Sequence, residues 1–193
     1  MTKRALVPLA QGCEELEAVT LIDLLTRAGV EVVTASLDEE RLITASRGVQ
    51  LVAQTTLAEV ESDRFDVIAL PGGLPGANHL NADLRLQRML QQTVQQGGYS
   101  AAICAAPKVL VTAGLLAGKK ATSFPGVIEN QPAENMTFVD AAVVQDGQIV
   151  TSKGPGTAIA FALTLIENLL GSEKRNEVES GLQLSEAVDA AVF

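Results

Sequence analysis

The chain has one histidine, two cysteines and only 14 basic residues against 23 acidic ones. Each scarcity removes a class of function. His79 with Cys13 and Cys104 is too small a set for a zinc site, so no metal is expected. A lone histidine also leaves no Ser–His–Asp triad in reserve. Two cysteines and no signal segment point to a reducing cytoplasm and no structural disulfide. A net charge of −9 offers no basic face to phosphate backbones, which argues against nucleic acid as a partner. Apolar runs all fall far short of the length that crosses a bilayer, so no membrane partner is expected. No strand-linked Gly-x-Gly-x-x-Gly occurs, and Gly154-Pro155-Gly156 lacks the Lys-Ser/Thr of a phosphate loop, so no nucleotide cofactor is expected. Met1-Thr2-Lys3-Arg4 has the charge of a leader, but the apolar stretch that follows is short and contains Pro8. It reads as a first strand.

What is present is a pattern of alternating strands and helices. At 193 residues and 47% hydrophobic, the chain suits one domain, 1–193, with a full core. Lys3–Ala10 reads as a strand, Glu14–Ala28 as a helix with Ala18, Leu21, Ile22 and Leu25 inward, and Val30–Ser36 as the next strand. Leu42–Ala45 and Val49–Ala53 read as a hairpin around Ser46-Arg47-Gly48, outside the main sheet. Phe65–Leu70 is a buried strand and Asp83–Gln96 an amphipathic helix. Thr137–Gln145 and Gln148–Ser152 flank the hairpin signal Asp146-Gly147. Thr157–Leu170 is an apolar helix, and a polar-faced helix begins at Glu173. The spacing predicts an α/β fold, a flavodoxin-like three-layer α/β/α sandwich with a mostly parallel sheet.

In such a sheet ligands bind beyond the carboxyl ends of the strands. Three breakpoints fall there: Gln11–Glu17, Pro71–Gly73 and Cys104. The short strand ending at Ile103 runs into a helix begun by Pro107, which puts Cys104 on a nucleophile elbow among small alanines. Cys104 is either a small buried hydrophobe or a nucleophile whose thiolate the following helix N-terminus favours. Gly72-Gly73 is either an ordinary turn or a pair of unobstructed backbone donors for an oxyanion. Glu17 is either one more acid in a helix first turn or a proton carrier for the cysteine sulfur. Arg27 and Arg47 are either surface residues or an anion pocket. His79 lies on a loop or helix start.

With those residues in view, the chain resembles the ThiJ/PfpI superfamily, in the branch of DJ-one (Parkinson disease protein 7) and the bacterial deglycase YajL. The matching motifs are Arg4-Ala5-Leu6-Val7, Gly12-Cys13-Glu14-Glu15-Leu16-Glu17, Ser46-Arg47-Gly48-Val49, Leu70-Pro71-Gly72-Gly73, Ala101–Pro107 and Thr151–Thr157, in family order from about Arg4 to Leu182. The resemblance implies Cys104 as nucleophile, Glu17 as the acid on its sulfur, Gly73 and Ala105 as backbone oxyanion donors, and Arg27 and Arg47 as an anion pocket near a homodimer interface. It implies a cofactor-free glyoxalase or deglycase. Its partners would be methylglyoxal, glyoxal, or their adducts with protein or nucleotide, in carbonyl and oxidative stress. The alternative is a redox sensor or chaperone working through oxidation of Cys104. Where the DJ-one motif has Thr-His-Pro, this chain has Ser123-Phe124-Pro125, as the bacterial relatives also do, which leaves Glu17 as the main proton handler. Superfamily proteases need a histidine after the cysteine, and Ala105 stands there.

Overall fold

Successive strand residues point to opposite faces of a sheet, and here both faces are apolar, so two cores form. The computed structural model describes residues 2–184. Its elements in chain order are β1 (Arg4–Leu9), α1 (Glu15–Arg27), β2 (Glu31–Ser36), β3 (Leu42–Thr44), β4 (Gln50–Val52), β5 (Thr55–Thr56), α2 (Leu57–Val60), β6 (Val67–Leu70), α3 (Gly76–Ala82), α4 (Leu84–Gln95), β7 (Tyr99–Ile103), α5 (Pro107–Thr112), β8 (Lys120–Ala121), β9 (Thr137–Phe138), β10 (Val143–Asp146), β11 (Ile149–Ser152), α6 (Ala158–Leu170) and α7 (Ser172–Gly181).

One sheet runs β10-β11-β7-β6-β1-β2-β5, parallel throughout except for the β10–β11 hairpin. Ala5, Val7 and Leu9 of β1 face the core under α1 and α6, with Val67, Ala101 and Phe161. Leu6 faces the other core with Ile68, Ala102, Leu86 and Leu110, under α2, α4 and α5. That is the three-layer sandwich expected. The chain steps from β1 outward to β2 and β5, then returns to β6 on the other side of β1. Strand order therefore reverses at β1/β6, where a crevice opens at the carboxyl edge.

Two expectations change. Thr137–Gln145 is not one strand: Thr137–Phe138 pairs parallel with β8, and only Val143–Asp146 joins the hairpin. The Ala141 N–H turns back to the Val139 carbonyl, which interrupts the ladder. The segment after Pro71-Gly72-Gly73 forms a further helix, α3, whose Leu80 is fully buried in the second core. The helix expected from Glu173 runs Ser172–Gly181, with Leu182 at its C-terminal end.

Candidate active site

The elbow is built from the backbone. Cys104 follows β7 with φ 63°, a left-handed conformation costing a side-chain-bearing residue about 1–2 kcal/mol. It is held from both sides. Its N–H donates to the Ser152 carbonyl of β11 at 2.9 Å, and its carbonyl accepts from the Phe124 N–H at 2.9 Å. Phe124 thus meets the cysteine through its backbone, its ring half exposed. Pro107 opens α5 at a position that needs no N–H, as the sequence indicates.

Glu17, in the first turn of α1, is fully buried. Its Oε2 accepts the Gly72 N–H at 2.8 Å, and the carboxyl hydrogen-bonds the Cys104 side chain. Oε1 is buried with no hydrogen-bond partner among the described residues. The two glycines are required for different reasons. A Cβ on Gly72 would lie 2.8 Å from Cys104 Cβ, 2.9 Å from Glu17 Oε2 and 3.0 Å from Ala105 N. Gly73 has φ 87°, and a Cβ there would strike the Glu14 nitrogen at 2.4 Å. The N–H groups of Gly73 and Ala105 bear on the Cys104 sulfur, and among the described residues neither donates to a carbonyl.

Burial is the main force on both acids. It pushes the Glu17 carboxyl up to about 7, against the Gly72 N–H and the Cys104 contact, and the charge of Glu14 raises it further. Burial, then the charge of Glu17 and its hydrogen bond, push the Cys104 thiol up to about 12, against the N–H groups of Gly73 and Ala105. Any pull of the helix N-terminus toward the thiolate is therefore opposed by burial and by Glu17. α5 starts only after Ala106 and has six residues, so its dipole is weaker than a buried carboxylate in contact with the sulfur. Thiol and carboxyl titrate as one pair that tolerates a single negative charge.

The other expected residues are placed as follows. Arg27 ends α1, paired with Asp23 at 2.7 Å. Ten residues of helix put it about 15 Å from Glu17, outside this cluster. Arg47 is on the β3–β4 turn, highly exposed, with Nη1 3.9 Å from Glu14 Oε2. That turn is fastened beside the site: the Ser46 hydroxyl lies 2.8 and 2.9 Å from the Glu14 and Glu15 carboxylates, and the Ser46 N–H donates to the Cys13 carbonyl. Cys13 is fully buried, its thiol raised to about 11 by burial and then Glu15, and both cysteines are free. His79 is exposed on α3, lining a separate cleft with Asp38 and Arg85.

Sequence reasoning missed Lys108. It lines a cleft of about 260 Å³ with Ala105, Leu74, Gly126, Val127, Asn130 and Gln131. A signal existed, since a cation in the first turn of a helix opposes the macrodipole.

A strained cysteine at the carboxyl edge of a parallel sheet, with a buried carboxyl hydrogen-bonded to its side chain, marks a class of α/β sandwich built round a cysteine elbow. The chain belongs to the DJ-1/PfpI family, whose model matches residues 3–168. It is 46% identical over 183 residues to Protein dj-1beta of Drosophila melanogaster, covering 94% of this chain and 97% of that one. It is 35% identical over 184 residues to the glutathione-independent glyoxalase DJR-1.2 of Caenorhabditis elegans, covering 95% and 97%. The crystal structure of Drosophila melanogaster DJ-1beta superposes with a TM-score of 0.90 at 44% identity, over 96% of this chain and all of that one.

Proposed function

We propose that the chain is a single-domain, cysteine-dependent glyoxalase that converts 2-oxoaldehydes such as methylglyoxal or glyoxal, free or as early adducts on protein or nucleotide, to 2-hydroxy acids. The observation that carries this reading is the fully buried Glu17 carboxyl hydrogen-bonded to the Cys104 side chain, beside the Gly73 and Ala105 N–H groups that bear on the sulfur and, among the described residues, donate to no carbonyl. The glyoxalase name of the Caenorhabditis elegans relative supports it.

The steps balance without an external oxidant. In its ionised form Glu17 takes the thiol proton as the sulfur adds to the aldehyde carbon, Gly73 and Ala105 stabilise the oxyanion, and Glu17 hands that proton on to it, which leaves the carboxylate free again. Glu17 removes the proton from that carbon and returns it to the adjacent carbonyl carbon, while the hydroxyl proton passes from the first oxygen to the second, so the aldehyde carbon is oxidised and the ketone carbon reduced. The resulting thioester of a 2-hydroxy acid is hydrolysed by water, which regenerates the thiol. A carboxyl near 7 suits a group that both takes and gives a proton at neutral pH.

The reading includes a cytoplasmic homodimer acting in carbonyl stress. Leu16 and Val19 on α1 and Leu42, Val49 and Val52 on the β3–β4 hairpin are exposed apolar residues that support an isologous contact. The test is conversion of methylglyoxal to lactate. We expect none from Cys104→Ser, and a fall of about a hundredfold or more in Glu17→Gln, whose Cys104 still alkylates with iodoacetamide. Turnover that ignores Cys104 overturns the reading. Absence of any turnover favours a redox sensor in which Gly73 and Ala105 bind the oxygens of oxidised Cys104.

A further inference from the structure

Lys108 stands four residues past Cys104 and lines the same cleft as Ala105. It differs from most lysines of the chain. Lys3, Lys119, Lys153 and Lys174 are each paired with a carboxylate. Among the described residues Lys108 has one side-chain partner, the Asn78 amide oxygen, and no carboxylate forms an ion pair with it. The nearby Glu129 carboxylate is turned to the Gly126 N–H instead. Asn130 is likewise spent on the Gly126 carbonyl at 2.6 Å. The cleft thus combines apolar walls, Leu74 and Val127, the neutral amide of Gln131, and one ammonium without a carboxylate partner among the described residues. Burial lowers the proton affinity of that ammonium with no anion to oppose it.

The surroundings make this informative. The chain carries −9, and Glu14, Glu15 and Glu17 gather at the start of α1. An anionic substrate is repelled from such a site unless a local cation offsets the field. A neutral aldehyde needs no such cation. The cleft also has room for the share of liquid volume of about nine waters, more than the smallest oxoaldehydes fill.

We propose that Lys108 selects 2-oxoaldehydes carrying an anionic tail, its ammonium binding the carboxylate or phosphate while the aldehyde carbon meets Cys104. This rests on the cysteine chemistry proposed above, and the tail takes no part in it. For 4,5-dioxopentanoate, sulfur adds at the aldehyde carbon, the proton moves to the ketone carbon, and water releases 2-hydroxyglutarate.

The test pairs an activity with a binding readout. In wild type and Lys108→Arg, kcat/KM is expected to favour 4,5-dioxopentanoate over methylglyoxal. In Lys108→Met that preference falls about tenfold or more, through KM, while methylglyoxal turnover changes less than about twofold. An unchanged preference, or an equal loss on both substrates, overturns the proposal. Independently, levulinate, which has the tail and ketone but no aldehyde, is expected to protect Cys104 from iodoacetamide in wild type and not in Lys108→Met. Equal or absent protection overturns the proposal. If neither aldehyde is turned over by any form, the glyoxalase reading falls and the protection experiment still decides the role of Lys108.

Discussion

At the scale of single residues, the chemistry reduces to where one proton sits. Glu17 moves from 4.5 unfolded to about 7 folded because burial disfavours its charge. The native state therefore holds an extra proton between those values, and the carboxyl's contribution to stability is complete below 4.5 and lost as pH rises through 7. The loss is about 3 kcal/mol. Denaturant unfolding of wild type between pH 4.5 and 8 should show this decline, and Glu17→Gln should lack it. Parallel curves for the two proteins would mean that Glu17 is not the titrating group. The same pair governs reactivity. Alkylation of Cys104 by iodoacetamide should rise with pH around a midpoint near 7, since the first proton lost belongs to the pair. Glu14, whose own N–H holds the Gly72 carbonyl at 2.9 Å, adds a negative charge that raises Glu17. Glu14→Gln keeps that backbone bond and removes the charge, so the midpoint moves to lower pH. An unmoved midpoint would exclude electrostatic coupling between positions 14 and 17.

At the scale of elements, the strand–helix elbow stores strain that its neighbours maintain. β11 and the Phe124 backbone hold Cys104 at φ 63°, where glycine sits freely and alanine does not. Glycine in place of alanine normally costs about 0.5–1 kcal/mol. Here relief of about 1–2 kcal/mol reverses the order, so Cys104→Gly should match or exceed Cys104→Ala in stability by up to about 1 kcal/mol. Chemical denaturation of the two variants decides it, and an alanine variant more stable by about 1 kcal/mol would mean that the elbow is relaxed. The β6–α3 turn works by clearance rather than strain at Gly72, where any Cβ meets Cys104, Glu17 and Ala105 at once.

At the scale of the whole molecule, the β3–β4 hairpin bridges the site to the outside. Its Thr44 carbonyl takes the Gly12 N–H at 2.8 Å, and Ser46 holds Cys13 and Glu14. Its outer face leaves Val52 72% exposed, with Val49 and Leu42 nearby and Leu16 half exposed on α1. Light scattering at micromolar concentration should give twice the 20.2 kDa chain mass. Val52→Asp combined with Leu16→Asp should reduce it to the monomer by placing charge in a desolvated contact. A monomeric wild type would remove the homodimer from the proposed function.

The sequence by itself determined the layers and the edge. Apolar runs ending in glycine, proline or an acidic helix start can only be buried parallel strands, which brings Gln11–Glu17, Pro71–Gly73 and Cys104 to one side. Glycine at 72 and 73 was legible as a need for close approach, though not that one glycine answers a clash and the other a positive φ. Only the tertiary structure decided protonation. Whether Glu17 is a surface acid or a buried one depends on the solvent that α1, Gly72 and Cys104 jointly exclude, and no local pattern records that exclusion. The same holds for Arg27 and Lys108. The length of α1 sets Arg27 apart from Glu17 within one chain, and the fold around α5 left the lysine in a cleft with no carboxylate partner among the described residues, because burial is a property of the packed chain.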